Sequence, residues 1–253
     1  MFWYKSWLDT RWRFLIGLAI LALSACGAVF GYPRAVRLLA LVPNVDVGGE
    51  IGRRIRESAD LMRTYRGYVF SQWFAENLIQ TWTIFAVLLG SGGLVSPGSE
   101  GAALFTLSLP ISRRAIVTAR AAIGLVELFL LALVPSLLIT LLSPAVGQSY
   151  GIVDVLIHTA CILIGGTLFF HLALLLSTMF HDIWRPLLLT LAVAMIVSLL
   201  EQRSGNGPGI YHVMSGASYF RGGGVPWLGL ALCAAGSAAL FYAATLSLAK
   251  RDF

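Results

Sequence analysis

The sequence predicts an all-helical protein threaded several times through a membrane. Three observations carry this. Mean hydropathy is +0.81, with 58% hydrophobic residues. Charged residues make up 12% of the chain, against about 25% in a soluble domain. And six runs contain no Asp, Glu, Lys or Arg. A chain so poor in charge cannot cover a water-facing surface, so lipid covers much of it.

Residues 1–13 interleave Trp3, Trp7 and Trp12 with Lys5, Arg11 and Arg13. That mixture suits a short interfacial helix before the chain turns into the bilayer. The first span is predicted over 14–33. Its stretch Leu23-Ser24-Ala25-Cys26 has the form of a bacterial lipoprotein signal. We read it as a retained membrane helix, because these residue types are all common there. Residues 34–76 form the one long connection, an external loop. Ile51, Ile55, Met62 and Val69 recur at near-helical spacing within it, among Arg53, Arg54, Arg56, Arg63 and Arg66. An amphipathic surface helix and a solvated helical linker both fit.

A bilayer-spanning helix needs about 20 mostly apolar residues. The second span is predicted over 77–96, the third over 116–142 and the fourth over 153–180. The fifth, 185–201, is the shortest, and Trp184 and Pro186 extend it at one end. The sixth runs over 225–249. The third places Glu127 inside the membrane, where a carboxylate is costly and usually faces a bundle interior or a water-filled path. Glu127 then reads as a contact in a substrate path or at a subunit interface; the alternative is that it sits near the cytoplasmic end, snorkels and pairs with Arg120 or Arg113. His158 and His171 share the fourth span but lie 13 residues apart, on different faces. Gly90, Gly92, Gly93, Gly165 and Gly166 allow helices to approach closely.

The net charge is +6 and the pI about 9.5. Lys and Arg gather at the ends of apolar segments, as headgroup anchors do, so nucleic acid is not the implied partner. Cys26, Cys161 and Cys233 each sit in apolar stretches without metal-type spacing and read as packing residues. No metal site is predicted. Gly216-Ala217-Ser218 is similar to the serine motif of intramembrane rhomboid proteases, but no histidine follows it. No nucleophile–base pair emerges, so an enzyme is not predicted.

Between the second and third spans lies an apolar stub too short to cross. It has Ser96 or Ser99 as a cap, Glu100 at the positive helix start and Pro110 as a stop. Such a stub shelters at the bilayer interface or in a partner's groove. Glu100, Gly101, Leu104, Leu107, Ser108, Leu109, Pro110, Ile111, Ser112 and Arg113 resemble the cytoplasmic coupling segment of ABC-2-type transporter permeases. The layout of spans and the ending Lys250-Arg251-Asp252-Phe253 are similar too. The family often has several acidic residues before the Gly, whereas Glu100 stands alone here.

The resemblance implies a single permease domain over 1–253, in a bacterial inner membrane with cytoplasmic termini. Its coupling segment would be 97–115, with Glu100, Gly101, Leu104, Phe105, Leu107, Leu109, Pro110, Ser112 and Arg113 meeting an ABC ATPase subunit. His181, Asp182 and Arg185 lie where the family makes a second ATPase contact, although solvation alone also explains them. A second permease copy, in a homodimer, and export as the direction are further implications. ATP and magnesium would act on the partner. The chain has no GxxxxGK[ST] phosphate loop of its own. A membrane scaffold or assembly factor is the competing reading. Each face would carry nine Lys or Arg, and setting aside the middle of the long connection leaves a slight charge preference for cytoplasmic termini.

Overall fold

The computed structural model describes residues 2–41, 60–91, 113–180, 182–204 and 209–249. These residues are overwhelmingly helical, with no strand among them. The first helix, α1, spans Phe2–Leu41. Tyr65–Val69, a π-helical stretch Phe70–Asn77 and Leu78–Gly90 run on from one another and together form α2. Then follow α3 (Arg113–Leu142), α4 (Ile152–Met179), α5 (Trp184–Ser204), two short helices α6 (Ile210–Ser215) and α7 (Ala217–Phe220), and α8 (Trp227–Ala249).

Among the described residues, five helices are long and apolar enough to cross a membrane: Ser6–Leu38, Val117–Val146, Ile152–Met179, Trp184–Arg203 and Trp227–Ala249. They match five of the six runs read from the sequence. The remaining run, 77–96, falls on the Leu78–Gly90 part of α2, which is 13 residues long. Residues 92–96 lie outside the described residues.

The interfacial helix expected at residues 1–13 is instead the beginning of α1, with no break near residue 13. The reason is local. Thr10 and Arg13 hydrogen-bond to α3 and to the end of α2, which holds this stretch against the bundle. The loop expected over 34–76 is likewise shortened at both ends. Its middle, with Ile51, Ile55, Arg53, Arg54 and Arg56, lies outside the described residues. Val69 is fully buried in α2 rather than on a surface helix.

Successive helices alternate in direction. Arg13 meets Ser91 and Thr178 meets Ser247 toward one end of the bundle, and Thr10, on the same turn of α1 as Arg13, meets Glu127 midway along α3. The ring of Tyr32 packs on Tyr65, and Arg66 pairs with Asp154, at the other. We call these the Glu127 end and the Asp154 end.

Helix α4 is the centre. Of its most apolar window 61% is buried, against 22% for both α5 and α8. Large rings from α2 fill the space around it. Trp82 is fully buried and donates from Nε1 to the Leu128 carbonyl at 2.9 Å. Trp73, also fully buried, donates to Ser136 Oγ at 3.2 Å. Each indole thereby satisfies its only donor while tying α2 to α3. The close approach of α2 and α4 needs small residues. A Cβ on Gly90 would lie 2.5 Å from the Phe170 carbonyl oxygen, and one on Gly166 would run into the Trp82 ring.

Candidate functional site

At the Glu127 end, polar side chains of α1 hold together the two helices that flank segment 92–112. Glu127 is buried on α3 at 1% exposure. Thr10 of α1 donates to its Oε1 at 2.5 Å, while Oε2 has no hydrogen-bond partner among the described residues. Arg120 lies seven residues earlier, about two turns away on the same face of α3, and is also buried. Its Nε has no hydrogen-bond partner among the described residues. The Glu127 carboxylate therefore bonds to a hydroxyl on α1, and Arg120 is not its hydrogen-bonded partner among the described residues.

Arg13 makes the second tie. Its Nη1 donates to the carbonyls of Leu88 and Ser91, at 2.8 Å each. These belong to the last turn of α2 and its cap, where carbonyls lack intrahelical partners. A cation there also suits the negative end of the helix dipole. One turn of α1, from Thr10 to Arg13, thus ties the end of α2 to the middle of α3, the two helices that flank segment 92–112.

Of the residues expected to meet a partner, Glu100, Gly101, Leu104, Phe105, Leu107, Leu109, Pro110 and Ser112 lie outside the described residues, as does His181. Arg113 is the first residue of α3. Asp182 and Arg185 pair with each other at 3.1 Å, both solvent-accessible, at the start of α5. The α4–α5 turn belongs to the Glu127 end by helix direction. The fold therefore brings that pair to the same end as the Arg13 and Glu127 ties.

The Asp154 end holds a polar cluster that sequence reasoning missed. Arg66 reaches Asp154 through two nitrogens, at 2.8 and 3.1 Å. The Tyr219 hydroxyl donates to Asp154 Oδ1 at 2.8 Å. The Asp154 hydrogen bond holds the Arg66 guanidinium even more firmly protonated than usual. Beneath them, His158 is fully buried and joins through Nδ1 to the Ser215 carbonyl at 2.8 Å. Its ring stacks on Phe74 at 4.5 Å. Gly216, with φ of 65°, makes the turn between α6 and α7. A Cβ there would sit 2.9 Å from His158 Nδ1, so glycine is needed for both conformation and room. Glu201 closes the region by accepting from the Tyr211 and His212 amides at the start of α6. Burial pushes the Tyr150 hydroxyl above its ordinary pKa, and holds the His212 ring below its own.

His158 and His171 have separate partners, Ser215 and Ser237, as their spacing implied. No group of three or more His, Cys, Asp or Glu among the described residues could hold a metal.

No family model, no curated protein and no solved structure matches this chain.

Proposed function

We propose that this chain is the membrane subunit of an ATP-driven transporter of the ABC-2 type, in which segment 97–115 docks on a separate ATPase. The resemblance of residues 100–113 to a coupling segment motivates the reading. The observation that carries it furthest is the grip of α1 on the two flanking helices. Arg13 binds the end of α2, and Thr10 binds Glu127 on α3. A push delivered to the segment between α2 and α3 then reaches three helices at once rather than a loose hairpin. That is what a mechanical input from a closing ATPase requires.

In this reading α2 (Tyr65–Gly90) supplies the sixth span. Both termini and the Glu127 end face the cytoplasm of a bacterial inner membrane. Asp182 and Arg185 offer a second contact at the same face. A second copy completes the permease, and direction is outward. The largely exposed flanks of α5 and α8 are available to lipid and to that second copy. The chain carries no phosphate loop, so ATP and magnesium act on the partner alone.

The test is copurification with the ATPase subunit from detergent-solubilised membranes. The wild-type chain retains a phosphate-loop ATPase whose hydrolysis is measurable in the eluate. Leu104→Asp with Leu107→Asp loses it, while keeping the wild-type elution volume. An ATPase retained at full stoichiometry by that variant defeats the proposed docking mode.

A further inference from the structure

Helices α3, α4 and α8 line an open groove of about 520 Å³, within the range of roughly 300–1,000 Å³ typical of small-molecule sites. Its walls are three helical stripes. Ala121 and Ala122 face it from α3, Ala234 and Ala238 from α8, and Thr167 and His171 from α4. The volume exists because four alanines stand where larger side chains would close the gap. Every contributing stretch lies inside a candidate membrane span. The lining includes no Asp, Glu, Lys or Arg, so a charged group would have nothing to neutralise it there.

The floor is polar in one direction only. Thr167 Oγ1 donates to the Ile164 carbonyl at 2.9 Å. Ser237 Oγ donates to Thr167 Oγ1 at 3.2 Å. With the Ser237 proton directed at Thr167, the contact with His171 Nδ1 at 2.6 Å is assigned from the network as an Nδ1–H donating to Ser237 Oγ. In the neutral ring this fixes the tautomer, and the proton-free Nε2 is an acceptor. His171 is 7% exposed and lines the groove. The site thus presents an open, greasy groove whose one polar patch is the His171–Ser237–Thr167 cluster.

We propose that this groove binds an uncharged lipophilic molecule bearing a hydroxyl, or a comparable hydrogen-bond donor, which donates to His171 Nε2. A lipophile that can only accept a hydrogen bond leaves Nε2 unpaired and binds more weakly. The inference concerns binding alone and needs neither ATP nor a partner, so it stands or falls separately from the transporter reading.

The experiment uses the full chain in phospholipid nanodiscs and a photoreactive long-chain alcohol with a diazirine on its tail. Labelled peptides are mapped by mass spectrometry. Labelling saturates and concentrates on residues 118–125, 163–171 and 234–241. Unlabelled alcohol competes about tenfold better than the matched methyl ether, the loss expected for one hydrogen bond. Ala122→Phe and Ala238→Phe, from opposite walls, each cut labelling at least tenfold. His171→Phe keeps the label but makes alcohol and ether equal competitors. Should one filling variant fail to fold, the other and the alcohol–ether comparison on the unaltered chain still decide. Labelling that rises linearly with probe and is as dense around exposed Leu188 and Leu199 would mean bulk lipid contact and overturn the proposal. Equal competition by alcohol and ether in the wild-type chain would overturn the assigned role of Nε2.

Discussion

Replacing Arg13 by Met separates the tie at the end of α2 from mere helix packing, since Met keeps most of the side-chain length. Arg13 donates two hydrogen bonds of 2.8 Å to the Leu88 and Ser91 carbonyls. A hydrogen bond from a charged donor contributes about 1.5–3 kcal/mol, so the pair sets an upper bound of roughly 3–6 kcal/mol. Arg13 is only half-buried, and water replaces part of what is lost. The expected cost is therefore about 2–3 kcal/mol. For a chain of this size, each kcal/mol moves Tm by roughly 2–4 °C, giving a fall of about 4–12 °C. Arg11→Met is the control. Arg11 is exposed and lies over the Trp12 ring at 5.5 Å, a contact of about 0.5–1 kcal/mol. The assay is intrinsic-fluorescence melting of both variants in one detergent. Equal Tm values for the two would refute the claim that Arg13 holds the end of α2.

Four other outcomes follow from the same contacts. Gly166→Ala drives a Cβ into the Trp82 ring. It should cost about 1–3 kcal/mol, read by the same melting assay, and the Trp82→Phe background should recover part of the loss. Asp154→Asn weakens the paired contact with Arg66, whose side chain is 49% exposed. A double-mutant cycle with Arg66→Gln should give a coupling of about 1 kcal/mol or less, falling further at high salt. Glu127→Gln keeps an acceptor for Thr10 and should melt near the wild type. Glu127→Leu, which removes it, should lose about 1–2 kcal/mol more. Single cysteines placed at Gln148 and at Asp182, in a chain with its three native cysteines replaced, should react with impermeant maleimide from opposite sides of sealed vesicles.

What could be read in the sequence follows from what a bilayer demands of it. A long charge-free run is forced by hydrocarbon thickness, so α4, α5 and α8 lie close to where they are predicted. The same criterion hides helix that carries a charge on one face. The early part of α2 contains Arg66 and Glu76, so it read as loop. Yet Phe70, Trp73 and Phe74 repeat at helical spacing, and all three are buried. That aromatic pattern was the available signal. The first helix continues past residue 33 because Arg34 and Arg37 are exposed and need no interior partner.

The candidate positions were legible one by one but not as pairs. Glu127 stands out in a span by its charge, yet its partner Thr10 is 117 residues away. His171 stands out too, while Ser237 is 66 residues distant and common in membrane helices. The groove was invisible for another reason. Alanine stripes on α3 and α8 favour close packing as readily as they line a gap, and only the three-dimensional separation of the helices distinguishes the two.

The most direct test of the account asks which face of the membrane the segment between α2 and α3 occupies, and what covers it. A single cysteine at Thr106, in a chain freed of Cys26, Cys161 and Cys233, is challenged with impermeant maleimide in right-side-out and inverted native vesicles. The account predicts reaction only in inverted vesicles stripped of peripheral proteins, and protection when the ATPase is left in place. Reaction from the outer face, or equal reaction in stripped and unstripped inverted vesicles, would contradict it.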